Sequence, residues 1–268
     1  MKKIKLASLV DINKLYEQSV QSADAEIDFI NRTYKSIFGR LPKVLREDFS
    51  GTSMLSVGWV NFSRGNYAIG VDIDKDVLSW ARHHNVATLT EMQKDRIELL
   101  HDDVIQVNSR CADVIGAFNF SYWVFKQRAT LLTYFKNCYQ HLNQDGIFIL
   151  DAFGGSDAYV EQKERTKHKK FTYVWHQAKF KPVTNELLCH IGFEFPDGSS
   201  IPKAFTYDWR LWTLPELVEL LLEAGFKTAE VYWEKEDKNG QGTGYYKAVS
   251  SGTNDTAWVV YLVARKNS

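Results

Sequence analysis

The chain has no net charge: its 268 residues carry 33 Lys and Arg against 33 Asp and Glu. No overall positive field draws it to nucleic-acid phosphates, so no nucleic-acid partner is expected. Cysteine is scarce, and Cys111, Cys138 and Cys189 are far apart and odd in number. That excludes a disulfide framework and paired CxxC metal spacing, and it points to a reduced, cytoplasmic compartment. No HxxxH-type or carboxylate spacing suggests a metal site, and no Ser/His/Asp set stands out. No uninterrupted apolar run is long enough to cross a bilayer. The opening MKKIKLASLV runs into Asp11 and Lys14 and is too short in apolar residues to read as a signal peptide.

What is present suits one large domain, or a domain with an inserted subdomain: 44% of residues are hydrophobic and 14% aromatic. Leu15, Ile27, Ile30, Tyr34, Ile37 and Phe38 fall at helical spacing, and a polar gap at 21–24 divides the stretch into two helices ended by Gly39 and Pro42. A strand ending near Leu45, the turn EDFSGTS and a helix over 54–63 then open a βαβ unit. Strands at 67–71, 97–100, 112–118 and 147–151 follow, with helices at 76–84 and 129–142. Such alternation predicts an α/β fold with a parallel sheet and helices on both faces.

After Gly155 the segments FTYVWHQAKF, ELLCHIGFEF and AFTYDWRLW are strand-like and aromatic, and they predict an antiparallel insertion; KERTKHKK at 163–170 reads as a solvated loop. LPELVELLLEAGF is helical, strands at 229–234 and 257–264 close the chain, and GQGTG at 240–244 reads as a hairpin tip. The expected organisation is a helical cover over 1–42, a cofactor-binding core over 43–155, the insertion over 156–212 as a substrate lid, and the rest of the sheet over 213–268.

Ligands of open parallel sheets bind beyond the carboxyl ends of the strands. Gly51 lets the backbone approach a ligand, and Asp72, about 20 residues on, sits where a carboxylate accepts ribose hydroxyl protons. EDFSGTSML has one glycine, whereas a dinucleotide pyrophosphate calls for G-x-G-x-x-G. A cofactor with an adenosine and no phosphate needs less room, and S-adenosylmethionine is one. Asp103 with Val104, at the next strand end, offers a carboxylate and an N–H to an adenine edge.

LREDFSGTS, GVDIDKDVLSWAR, LLHDDV and DVIGAFNFSYWVF, in that order and spacing, resemble the successive cofactor motifs of the class I S-adenosylmethionine-dependent methyltransferases. The resemblance spans roughly 43–151, and LLLEAGF with two strands is similar to that family's reversed sheet edge. It implies a seven-stranded Rossmann-like sheet, S-adenosylmethionine as cofactor and methyl transfer as activity. It carries Arg46, Glu47, Asp48, Gly51 and Thr52 into the cofactor loop. Asp72 and Ile73 fall at the ribose, Asp103 and Val104 at the adenine, and Asn119 beside the methionine. Phe49 stands where the family has its first glycine, and the choice between Glu47 and Asp48 for the methionine end stays open. The segment LYEQSVQSADAEIDF resembles the leading helices that cover the cofactor in some small-molecule methyltransferases, with Tyr16 as the closing residue.

Methyl transfer from a sulfonium chiefly needs nucleophile and methyl held in line in a water-poor chamber. On the substrate side the candidates are Tyr122 and Trp123 after the fourth strand, and Tyr207 and Arg210 in the insertion, where Arg210 would clamp a carboxylate. The expected function is methylation of a polar or carboxylate-bearing small molecule. The rivals are a non-catalytic cofactor-binding member of the fold and a NAD(P)-dependent oxidoreductase.

Overall fold

Strand β4 (Ala112–Ala117) is buried at all six of its residues, the mark of a strand covered on both faces. In a computed structural model describing residues 4–267 it lies in an eight-stranded sheet. Met1, Lys2, Lys3 and Ser268, the ends of the outer two expected segments, lie outside the described residues.

The elements run α1 (Ile12–Ser19), α2 (Ala23–Phe38), β1 (Val44–Asp48), α3 (Met54–Phe62), β2 (Tyr67–Asp72), α4 (Lys75–His84), α5 (Glu91–Lys94), β3 (Ile97–His101), β4, α6 (Arg128–Gln140) and β5 (Leu142–Gly154). Then follow β6 (Gln162–Lys167), β7 (Thr172–Lys181), β8 (Glu186–Glu194), β9 (Ser200–Arg210), α7 (Leu214–Glu223), β10 (Thr228–Glu236), β11 (Gly242–Val249) and β12 (Trp258–Arg265). The main sheet has the order β11-β10-β12-β5-β4-β1-β2-β3. Strands β1 to β5 pair parallel, while β12 lies antiparallel to both β5 and β10. Strand order reverses between β1 and β4, which opens the crevice at their carboxyl ends.

Local chemistry explains the boundaries. Gly39 ends α2 in the left-handed region at φ 71°. Asp74 caps α4, and Thr213 with Glu216 forms a capping box on α7 behind Pro215.

The structure corrects the sequence reading in three places. The sheet has eight strands rather than seven, because after the hairpin turn that holds Gly240 and Gln241 the chain pairs back on β10 as β11, whose Tyr246 packs on Phe29 and Tyr261. KERTKHKK is mostly strand, since residues 162–167 form the charged outer edge β6 of a second, four-stranded antiparallel sheet. Strand β1 extends to Asp48, so Arg46, Glu47 and Asp48 belong to a strand and not to a loop.

Helix α1 bridges the two sheets. On one side Leu15, Tyr16 and Val20 pack with Phe171, Phe193 and Phe205 of the antiparallel sheet. On the other, Trp80 donates to Asp11 at 2.7 Å, Asn85 to Glu17 at 2.6 Å, and Thr52 to Gln21 at 3.1 Å. Among the described residues no helix is long and apolar enough to cross a membrane.

Candidate active site

Two cavities meet above the crevice. One, of about 420 Å³, is floored by the ends of β1 and β2 and roofed by α1; the other, of about 490 Å³, lies between the main sheet and the inner face of β7, β8 and β9. Tyr16, Asn119, Tyr207 and Trp209 line both, so they form the neck between the chambers.

The first cavity has the features of a nucleoside-bearing ligand's seat. Gly51 holds φ 49°, and a Cβ built there would touch nothing within 4 Å, so a ligand has access to the backbone. The Asp72 carboxylate accepts the Gly51 N–H at 2.7 Å and the Asp74 N–H at 2.9 Å, which fixes it at the cavity wall with lone pairs to offer. Burial raises its pKa despite those bonds. Thr52 and Ile73 line the same wall.

Strand alternation separates the two carboxylates left open by the motif. Arg46 and Asp48 point to one side, where Arg46 is fully buried and forks onto Asp48 at 2.6 and 3.0 Å while also reaching Asn137 at 3.1 Å. Tyr134 donates to the same Asp48 at 2.9 Å. Glu47 points the other way, and its Oε2 accepts both the Ser56 hydroxyl at 2.5 Å and the Ser56 N–H at 2.9 Å. Burial first, with neighbouring Asp72 and Asp48, pushes Glu47 up to about 7 against the pull of Ser56. Both residues line the cavity, but the Asp48 carboxylate is fully buried and bound on both oxygens, whereas Glu47 is bound on one.

The turn after β4 is held from below. Asn119 and Phe120 both adopt left-handed backbone, at φ 58° and 57°, and their N–H groups donate to the buried Asp151 carboxylate at 2.7 and 2.8 Å. Burial lifts Asp151 to about 7 even with those two donors. Phe49, which occupies the family's glycine position, also sits at φ 56°, and its ring packs against Phe125 and Tyr134.

Six residues singled out from sequence lie outside both cavity walls. Arg46 serves Asp48. Asp103 caps its own turn by accepting the Ile105 N–H at 3.0 Å, and Val104 is buried in the core beside it. Tyr122 donates to the Asp151 carbonyl at 2.8 Å, and Trp123 is buried against Phe153 and Trp209. Arg210 pairs with Glu216 at 2.8 Å, donates to the Lys126 carbonyl at 3.2 Å and stacks on Trp212. It therefore has no free fork for a substrate carboxylate. Tyr207, by contrast, stacks on Trp209 at 4.5 Å in the neck.

Sequence reasoning missed Glu26, on the cofactor-cavity wall, and Glu164, Asp157 and Glu234, on the wall of the second chamber. For Glu26 a signal existed: it shares the buried face of α2 with Ala23, Ile27 and Ile30, where an acid is out of place.

No family model matches the chain, and no curated protein matches it by sequence. Solved structures do. A S-adenosylmethionine-dependent methyltransferase from Clostridium acetobutylicum aligns at TM-score 0.70 and 16% identity over 96% of this chain and 98% of its own. An amino pentose methyltransferase from Micromonospora echinaspora, solved with S-adenosylmethionine bound, aligns at TM-score 0.66 and 11% identity over 99% of both chains. A sugar N-methyltransferase from Streptoalloteichus aligns at TM-score 0.63 and 13% identity over all of this chain and 96% of its own. The likeness extends through the antiparallel insertion, and the chain has the fold of the S-adenosylmethionine-dependent methyltransferases.

Proposed function

We propose that the protein is an S-adenosylmethionine-dependent methyltransferase whose acceptor is a small molecule bearing an amine. The observation that carries this reading is the pair of cavities joined at a neck: a nucleoside-type seat on one side, an aromatic chamber on the other, and Tyr16, Asn119, Tyr207 and Trp209 between them.

The residues present fit the cofactor. Asp72 would hold the ribose, Gly51 and Thr52 the backbone-lined wall, and Glu47, with an oxygen to spare, the methionine end. When bound, S-adenosylmethionine supplies a methyl group already activated on a sulfonium. The chain's own task is to hold a nucleophile in line and keep water away. The stacked Tyr207 and Trp209 set aromatic rings at the neck, and aromatic rings favour positive charge beside them. The second chamber adds Glu164, Asp157 and Glu234 and, among the described residues, no Lys, Arg or His. That lining favours an amine over the carboxylate expected from Arg210. Two similar folds, an amino pentose methyltransferase and a sugar N-methyltransferase, act on acceptors of the same kind by their descriptions.

The test is incubation with methyl-labelled cofactor and matched panels of amino sugars, sugar acids and neutral sugars. Label is expected in the amines. Transfer only to carboxylates or hydroxyls would overturn the acceptor class, and thermal stabilisation by NADH but not by S-adenosylhomocysteine would overturn the cofactor.

A further inference from the structure

Six acidic residues line the cofactor cavity, Glu26, Glu47, Asp48, Asp72, Asp74 and Asp208, and among the described residues no Lys, Arg or His does. Most are engaged within the protein. Asp48 pairs with Arg46, Asp208 with Lys126, Asp74 caps α4, Asp72 accepts two backbone N–H groups, and Glu47 accepts Ser56. Glu26 differs: it accepts no hydrogen bond and pairs with no cation among the described residues. It sits on the inward face of α2 beside Ala23, Ile27 and Ile30, partly buried, and lines the cavity.

Among the described residues, the titratable groups around it are Glu47 from β1, Asp151 from β5, Tyr16 from α1 and Tyr261 from β12, all of them acids. Burial first, and then Glu47 and Asp151, push Glu26 up to about 8. A buried carboxyl facing like charges is stable either as the neutral acid or with a cation brought to it. Glu26 lines the cavity, so a cation bound there can reach it.

On the methyltransferase reading, the occupant's charge changes during the reaction. S-adenosylmethionine has a sulfonium and an ammonium against one carboxylate and is a net cation. S-adenosylhomocysteine keeps the ammonium and the carboxylate but has a neutral thioether. We propose that Glu26 is a specificity-determining counter-charge through which this cavity binds the sulfonium cofactor more tightly than the thioether product. Methyl transfer would then weaken the product's own hold and favour its release.

Calorimetric titration of the full chain with each ligand at neutral pH tests this, using the wild type, Glu26→Gln and Glu26→Asp, with thermal unfolding as the check on folding. The wild type is expected to prefer S-adenosylmethionine by roughly tenfold or more, the order of a partly screened charge pair. In E26Q that preference should collapse through weaker S-adenosylmethionine binding, with S-adenosylhomocysteine little changed, and E26D should restore part of it. An equal loss for both ligands in E26Q would overturn the proposal, because Glu26 would then be gripping the shared ammonium. So would an unchanged ratio. If E26Q does not fold, E26D and the wild-type ratio decide: no preference in the wild type sinks this proposal alone, whereas binding of neither ligand sinks the methyltransferase reading with it.

Discussion

Phe49 offers the sharpest test of how the cofactor loop is built. Its φ of 56° is a left-handed conformation that disfavours any side chain, and its ring is lodged between Phe125 and Tyr134. A Cβ in this region costs about 1–2 kcal/mol. A glycine there escapes that strain but loses roughly 0.5–1 kcal/mol through its greater freedom when unfolded. Phe49→Ala and Phe49→Gly lose the same ring contacts, so their difference isolates the backbone. Both should fall below the wild type by about 2 kcal/mol, since the ring is only partly buried and a fully buried Phe is worth more. F49G should be the more stable of the two by up to about 1 kcal/mol, the reverse of the usual ranking of alanine and glycine. Urea unfolding of the three proteins at equal slope measures this. If F49A is as stable as F49G or more so, the loop is not held in the left-handed region, and the ring does not anchor a strained turn. Cofactor affinity should follow the same order, because F49G keeps the backbone that carries Gly51 beside Asp72.

Stability should also fall as pH rises through neutrality. Glu26 at about 8, with Glu47 and Asp151 at about 7, all lie above their ordinary carboxyl values. A raised carboxyl pKa contributes stability that is present below the unfolded value and is lost as pH climbs through the folded value. The melting temperature is therefore expected to drop between about pH 5 and pH 8, and the slope should be shallower in E26Q; a flat profile would contradict the burial of these groups. Asp113 and Asp197, whose pKa values are lowered, act only at more acidic pH. Replacing Arg210 by Gln should lower stability by breaking its pairing with Glu216 and its stacking on Trp212, while leaving the acceptor KM unchanged; a KM rise without loss of stability would return Arg210 to the substrate.

The fold was legible because the apolar period switches cleanly from 3.6 to 2 at each element, and Asp72 because an acid ending the second strand has a place in the general logic of such sheets. Strand β11 was not. Its pattern is mostly exposed, and its pairing with β10 depends on a long-range aromatic cluster around Phe29 and Tyr261. Arg210 was misread because a single strand shows which side chains share a face but not what the next element brings to them. Glu216, fixed by its own capping box, supplies an oxygen at 2.8 Å. Asp103 illustrates the same limit at shorter range: a strand-end carboxylate can serve a ligand or its own turn, and here it accepts the Ile105 N–H.

The residue that joins the two halves of the site is one the motifs pass over. Asp151 interrupts the apolar run of β5, three residues before the chain leaves the main sheet at Gly154. Its carboxylate grips the backbone of Asn119 and Phe120, and its carbonyl receives the Tyr122 hydroxyl. Asn119 lines both cavities, and Phe120 the second alone. Gly154 in turn has no room for a Cβ, because the Trp258 ring of β12 fills the place where one would be. Trp258 walls the second chamber from the sheet side. The chamber is thus anchored to the same strand whose buried carboxylate sets the neck. Its position relative to the cofactor seat follows from β5 and the main sheet rather than from the insertion alone. An insertion of different length or sequence can reshape the second chamber, and the Tyr207 and Trp209 side of the neck with it, while Asp151 keeps the Asn119 side in place.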